Sequence, residues 1–213
     1  AAMKNIERFG ARRYLSPLLY DRIRKAADVG GAREWQALAS VLAHAMGPID
    51  EEDENAIETD PVVGEASLWG ATLEAYRRDP THFPTAALLS TQLVRFGMSE
   101  AAPLVLSGAL QGKPVPAMVS ASMEVLLAAL DADNSADDID ACRRTFLAAG
   151  SLLAAADGPD LRGRVEPAPT RARFFMASVE LRAGNLQAAR PLLESAASAE
   201  PGVGVFTMLA MIE

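Results

Sequence analysis

Two histidines and a single cysteine are the side chains of this 213-residue chain best suited to holding a metal or acting as a nucleophile. His44 lies in an alanine-rich stretch and His82 in a predicted turn, and neither has a second histidine or a cysteine at metal-ligand spacing. Cys142 has no evident activating base, so a buried, inert thiol is the simplest interpretation. The sequence also has no nucleophile-elbow, phosphate-loop or dinucleotide-binding motif. It therefore predicts a protein that is not an enzyme, with no catalytic residue, metal or cofactor.

The acidic stretch DADNSADDIDAC, residues 131–142, has oxygen-bearing side chains at the first four ligand positions of a calcium-binding loop. Such a loop also needs a glycine at its sixth position and a glutamate at its twelfth, where this chain has Ala136 and Cys142. We therefore interpret the stretch as a polar turn between two helices. In this interpretation Ser135 is the N-cap of the second helix, and Asp138, three residues later, completes the cap.

Charge is distributed unevenly along the chain, which has a net charge of −8. Residues 1–34 carry eight basic and four acidic side chains, whereas Asp50 to Asp60 carry seven acidic and no basic ones. Because an acidic chain binds phosphate backbones poorly, we expect no general affinity for nucleic acid; binding through residues 4–33 is the alternative. The acidic run is typical of a solvated segment, and attraction of a basic partner is its functional alternative.

The cysteine content and the lengths of the apolar runs bear on the compartment. With Cys142 alone, no disulfide can form within the chain, which favours the reducing cytoplasm but fits a disulfide-free periplasmic protein nearly as well. No apolar run approaches the roughly 18 residues that a membrane-spanning helix needs, so we expect no membrane span.

Two stretches of the sequence, 93–114 and 181–201, share one pattern of small, large and helix-breaking residues. In each, a glycine is followed by alanine, leucine, alanine and proline at offsets of 5, 9, 12 and 17 residues. The pattern predicts two helices joined by a tight turn, because glycine permits the reversal, the alanines permit close packing, and proline ends the second helix. The residues of the two copies are Gly97, Ala102, Leu106, Ala109 and Pro114, and Gly184, Ala189, Leu193, Ala196 and Pro201.

This spacing resembles the tetratricopeptide repeat (TPR), a 34-residue helix–turn–helix unit. The large–small pair that the family has in its first helix is matched by Leu89-Ser90 and Met176-Ala177. The family's tyrosine before the turn is replaced by Leu93 and by Glu180. The resemblance implies an all-α fold, a right-handed α-solenoid of helix-turn-helix hairpins in which each repeat buries its apolar faces against its neighbours.

We divide the chain into an N-terminal part, residues 1–61, and a repeat-containing part, residues 62–213. The first is predicted to form a helical hairpin that turns at Gly30-Gly31, followed by an acidic segment that is either a loop or a short helix. The repeat-containing part is predicted to begin with a helix within 62–80 and to hold regular units at 83–116 and 170–203, an irregular unit at 117–169 and a truncated last helix at 204–213.

The irregular unit is predicted to contain one helix over 117–130 and a second that runs from Ser135 to about Ala156. The truncated last helix implies that the natural protein continues beyond Glu213.

The resemblance also implies a concave groove whose ligand-facing positions lie on the first helix of each repeat. Some family members hold a peptide carboxylate there with a Lys/Asn clamp, but the matching positions here are Ala87, Thr91, Phe174 and Ser178. An apolar strip edged by arginines remains, which suits an amphipathic peptide with an acidic residue; packing of Phe174 against a neighbouring repeat is the alternative. The predicted groove residues are Thr91, Arg95, Arg171, Phe174, Ser178 and Arg182.

These features together predict a non-catalytic scaffold or adaptor that binds a peptide or a helical segment of a protein partner in its groove. The alternative is the helical interaction portion of a larger enzyme, such as a transferase, whose catalytic domain lies after residue 213. A homodimer is left open by the sequence.

Overall fold

The computed structural model describes residues 17–45, 65–111, 115–159, 161, 165, 168–199 and 202–212. The protein is all-α over these residues, which form eleven helices and no strand. This agrees with the predicted all-α class. The helices are α1 (Pro17–Val29), α2 (Ala32–Ala45), α3 (Glu65–Arg78), α4 (Phe83–Arg95), α5 (Ala101–Ala109), α6 (Pro116–Ser135), α7 (Ile139–Ala148), α8 (Gly150–Ala156), α9 (Ala168–Arg182), α10 (Leu186–Ala199) and α11 (Val203–Ala210).

The chain divides into two compact units, Ala1–Thr85 and Ala86–Glu213. The division falls in the first turn of α4. The predicted boundary between residues 61 and 62 and the acidic stretch 50–60 both lie outside the described residues, so they remain predictions.

In the first unit, α1 and α2 form the predicted hairpin, which turns at Gly30-Gly31. The core side of α3 is also as predicted: Leu68, Thr72 and Ala75 are buried, and the Thr72 hydroxyl donates to the Leu68 carbonyl at 2.8 Å. The guanidinium of Arg78 lies 5.7 Å from the ring centre of the buried Trp35 and also donates to the Gly30 carbonyl at 3.0 Å. One side chain of α3 thus contacts both α2 and the turn before it.

In the second unit, the turns at Gly97 and Gly184 have the same backbone geometry. Both glycines have positive φ, 73° and 74°, a conformation that side chains with a Cβ rarely adopt. At each turn the glycine N–H bonds to the carbonyl three residues back, and the next N–H bonds to the carbonyl five residues back. These paired bonds close the first helix and reverse the chain, as the glycine spacing predicted.

A third turn of the same kind lies at Asp137, in the unit that we expected to be irregular. Asp137 has a φ of 55°, its N–H bonds to the Asn134 carbonyl at 3.0 Å, and the N–H of Asp138 bonds to the Asp133 carbonyl at 3.1 Å. Aspartate tolerates the left-handed conformation better than most residues with a side chain. Hairpins α4/α5, α6/α7 and α9/α10 therefore share one type of turn, and only the outer two use glycine.

The predicted boundaries inside the middle unit are wrong in two respects. Ser135 is not the N-cap of the second helix but the last residue of α6, because the chain reverses two residues later; Asp138 is the N-cap and accepts the Ala141 N–H at 2.8 Å. The second helix does not run unbroken to Ala156. It ends at Ala148 and α8 begins at Gly150, since Ala149 has a ψ near 0°.

A small residue five positions after each turn lets the two helices of a hairpin meet closely. Ala102, Cys142 and Ala189 occupy this position, and all three are fully buried. The Ser90 hydroxyl donates to the Ala102 carbonyl at 3.0 Å, and the Cys142 thiol donates to the Leu130 carbonyl at 3.7 Å. Both contacts link residues that are 12 apart in the sequence, so the first two hairpins close in the same register.

Candidate functional site

Four of the six predicted groove residues lie on one stripe of α9. Arg171, Phe174, Ser178 and Arg182 follow each other at intervals of three and four residues, which places them on one side of a helix. On one side of this stripe α9 contacts α6: Arg171 is 3.5 Å from the Glu124 carboxylate, and Arg182 donates to the Asn134 side-chain oxygen.

On its other side, the same stripe contacts α11. The Ser178 hydroxyl donates to the Phe174 carbonyl at 3.0 Å and lies 3.9 Å from the Met208 sulfur. Phe174 is half-buried against the cluster of Ala177, Leu193, Ala196 and Val205. Phe174 therefore contributes to the packing of the unit, as the alternative interpretation expected, and its remaining surface borders the stripe.

Thr91 and Arg95 lie on α4, one helical turn apart, and both are exposed. The Thr91 hydroxyl is held by its own helix, since it donates to the Ala87 carbonyl at 3.0 Å. The structure therefore brings the four α9 residues together and places the other two predicted groove residues on a separate helix.

A buried ion pair, which the sequence analysis did not identify, joins α7 to α9. Nε and Nη2 of Arg143 donate to the two carboxylate oxygens of Glu180 at 2.8 and 2.7 Å, and Nη1 donates to Asp140 at 2.9 Å. Glu180 is 4% exposed. The hydrogen bonds from Arg143 hold the pKa of Glu180 below its usual value, and those from Glu180 and Asp140 raise the pKa of Arg143.

Two further buried polar groups lie in the middle hairpin. Thr145 donates to the Asp133 carboxylate at 2.6 Å, so this buried acid has a partner inside the unit. Burial raises the pKa of the Cys142 thiol, which keeps it protonated near neutral pH and a poor nucleophile. Asp133 and Cys142 therefore act as packing and hydrogen-bonding groups here.

Metal and membrane sites are addressed by the described residues alone. No three His, Cys, Asp or Glu side chains among them come together in a group that could hold a metal ion. His82 lies in a turn, as predicted, with Nδ1 2.7 Å from the Thr85 hydroxyl, whereas the side chain of His44 is outside the described part. None of the described helices is both long and apolar enough to cross a lipid bilayer.

The fold and the stripe on α9 define an all-α protein that contains three helical hairpins with a common turn. Comparison with family models, curated proteins and solved structures gives no match for the chain.

Proposed function

We propose that the chain is a TPR-like helical-repeat scaffold that binds a segment of a protein partner on the exposed stripe of α9, between α6 and α11. The observation that carries the proposal is the recurrence of one turn geometry at residues 97, 137 and 184. Hairpins that close alike stack alike, so the proposed arrangement of the second unit is a right-handed α-solenoid in which the first helices of successive hairpins line one surface.

The charges along the stripe favour a ligand with an acidic residue. Arg171 and its partner Glu124 are both more than half exposed and 3.5 Å apart, so their ion pair contributes little to stability. A carboxylate of the partner can replace Glu124 at small cost. Arg182, at the other end of the stripe, is exposed and bonded to a neutral side chain, so it too can accept a carboxylate.

The partly exposed aromatic surface between the two arginines favours a ligand that also has an apolar face. Phe174 and Phe175 are both half-exposed, and they lie between Arg171 and Arg182 in the helix. An amphipathic helix or an extended peptide with alternating apolar residues would cover them and bring an acid to either end. No cofactor is part of this proposal.

The proposal can be tested with a peptide display library selected against the whole chain. We expect the enriched peptides to be amphipathic and acidic, and to bind Arg171→Glu and Arg182→Glu at least about tenfold more weakly than the original protein. The matched control is Arg190→Glu, which reverses an exposed arginine of α10, the partner helix of the same hairpin, and should leave affinity unchanged.

Two results would contradict the proposed site. Peptides that bind both charge-reversed variants of α9 as tightly as the original chain would place the binding surface elsewhere. An equal loss in the Arg190→Glu control would show that the effect is general electrostatics and not contact at the stripe.

A further inference from the structure

Helix α11 holds the same place beside hairpin α9/α10 that α9 holds beside hairpin α6/α7. Arg143, six residues after the turn at Asp137, reaches forward to Glu180 near the end of α9. Arg190, six residues after the turn at Gly184, reaches forward to the Ile212 carbonyl just past the end of α11, at 3.4 Å. Each arginine thus contacts the end of the helix that follows its own hairpin.

The inward-facing residues of α9 and α11 match at a constant offset of 33. Ala172, Met176 and Val179 of α9 are buried, and the residues 33 positions later, Val205, Leu209 and Ile212, face the core with Val205 fully in it. By the same offset, Ala177 of α9 corresponds to Ala210 of α11. Ala177 is fully buried beneath α10, whereas Ala210 is exposed.

The uncovered face of α11 is apolar and uncharged. Phe206, one turn before Ala210, is 53% exposed, and Met211 is 75% exposed. The segment from Gly202 to Ile212 contains no charged residue, in a chain with a net charge of −8. Within the described residues, the structure has no second helix over this face corresponding to the one that α10 provides for α9.

We propose that this face of α11 binds the same face of a second copy of the chain. A two-fold interface sets an element against its own copy, so any charged residue near the axis repels itself; α11 avoids this penalty because it has no charge. Antiparallel α11 helices set Phe206 of each copy against Ala210 of the other, a large residue over a small one. The helices of the hairpins in this unit are antiparallel as well, with alanine, serine or cysteine where they meet.

The size of the contact predicts a weak dimer. One short helix from each copy covers far less than the roughly 800 Å² per partner of a standard interface. We therefore expect a monomer–dimer equilibrium with a Kd on the order of 100 μM. This proposal concerns a different face from the stripe of α9, so either one can fail without the other.

Sedimentation equilibrium on the whole chain, up to about 500 μM, tests the proposal. The mean mass of the original protein should rise towards that of a dimer, while Ala210→Glu and Phe206→Lys, tested separately, should stay monomeric. The matched control is Leu147→Glu on α7, which replaces an exposed leucine, 76% accessible, elsewhere in the same unit and should dimerise like the original chain.

Mixing the two variants separates loss of contact from loss of fold. In a mixed dimer, the new glutamate at position 210 of one copy lies against the new lysine at position 206 of the other, and Phe206 again lies over Ala210. An equimolar mixture should therefore regain association, and salt should weaken it. A monomeric original chain at all concentrations, a dimeric Ala210→Glu variant, or a mixture that stays monomeric would each overturn the proposal.

Discussion

The hairpins α9/α10 and α6/α7 reach the same backbone turn from different residues. Gly184 adopts its φ of 74° without steric cost, and a Cβ built at this position would meet no atom within 4 Å. Asp137 adopts a φ of 55° despite its side chain. The middle hairpin thus uses a less favourable residue at its turn, and Arg143 of that hairpin holds it to α9 through the buried Glu180. Repetition of the turn is therefore better recognised from hydrogen bonds than from glycine.

The largest expected effect is from loss of the ion pair between the two hairpins. Arg143→Ala leaves the buried carboxylate of Glu180 without its partner, and we expect the free energy of unfolding to fall by about 3 kcal/mol. Chemical denaturation with urea measures this change. The control is Arg144→Ala, since Arg144 and its partner Glu100 are both more than half exposed; its effect should stay below about 1 kcal/mol. Equal losses in both variants would show that the Arg143–Glu180 pair does not specifically join the hairpins.

The same ion pair should make stability depend on acid, by part of that amount. The pKa of Glu180 is lower in the folded chain than its ordinary value of 4.5, so the folded state favours the charged carboxylate. Its contribution is fully present above the unfolded pKa and is lost as pH falls below about 4.5 through the folded pKa. Urea denaturation at pH 7 and in steps below pH 5 measures the loss. In Arg143→Ala the acid dependence should be smaller, and an identical pH profile in both proteins would contradict this origin.

Exchanging the turn residues probes the comparison directly. Gly184→Ala places a Cβ in the left-handed conformation with no clash, so we expect a loss of about 1–2 kcal/mol from backbone strain alone. Asp137→Gly removes the corresponding strain in the middle hairpin and should leave stability unchanged or raise it by up to about 1 kcal/mol. Thermal unfolding of the two variants gives the signs. A marked destabilisation by Asp137→Gly would show that the aspartate side chain itself is needed at the turn.

The smallest expected effect distinguishes the two residues proposed and found as the cap of α7. Asp138→Ala removes the acceptor for the Ala141 N–H and should cost about 1 kcal/mol. Ser135→Ala changes an exposed residue at the end of α6 and should have an effect near zero. Urea denaturation of both variants measures the difference, and a larger loss for Ser135→Ala would restore the assignment made from the sequence.

Local features of the second unit could be predicted from the sequence because local physics determines them. Gly97 and Gly184 supply a backbone conformation that few residues tolerate, and the spacing of Ala189, Leu193 and Ala196 marks the buried side of one helix. Asn185 was also assigned correctly as a cap, and it accepts the Ala188 N–H at 3.3 Å.

The features that could not be predicted depend on the placement of distant residues. The turn at Asp137 was missed because a search for glycine cannot find it, and this error shifted the assigned cap to Ser135. Arg143 and Glu180 are 37 residues apart, so their contact becomes visible only when the two hairpins are set side by side. The separation of Thr91 and Arg95 from the stripe of α9 likewise follows from the packing of helices and not from their spacing within one repeat.

The burial of Cys142 gives the chain a built-in reporter of local opening. Its sulfur lies between α6 and α7 and bonds to the Leu130 carbonyl, so a thiol-directed reagent reaches it only when these two helices separate. Because it is the single cysteine of the sequence, the rate of labelling follows the breathing of the middle hairpin without interference from another thiol.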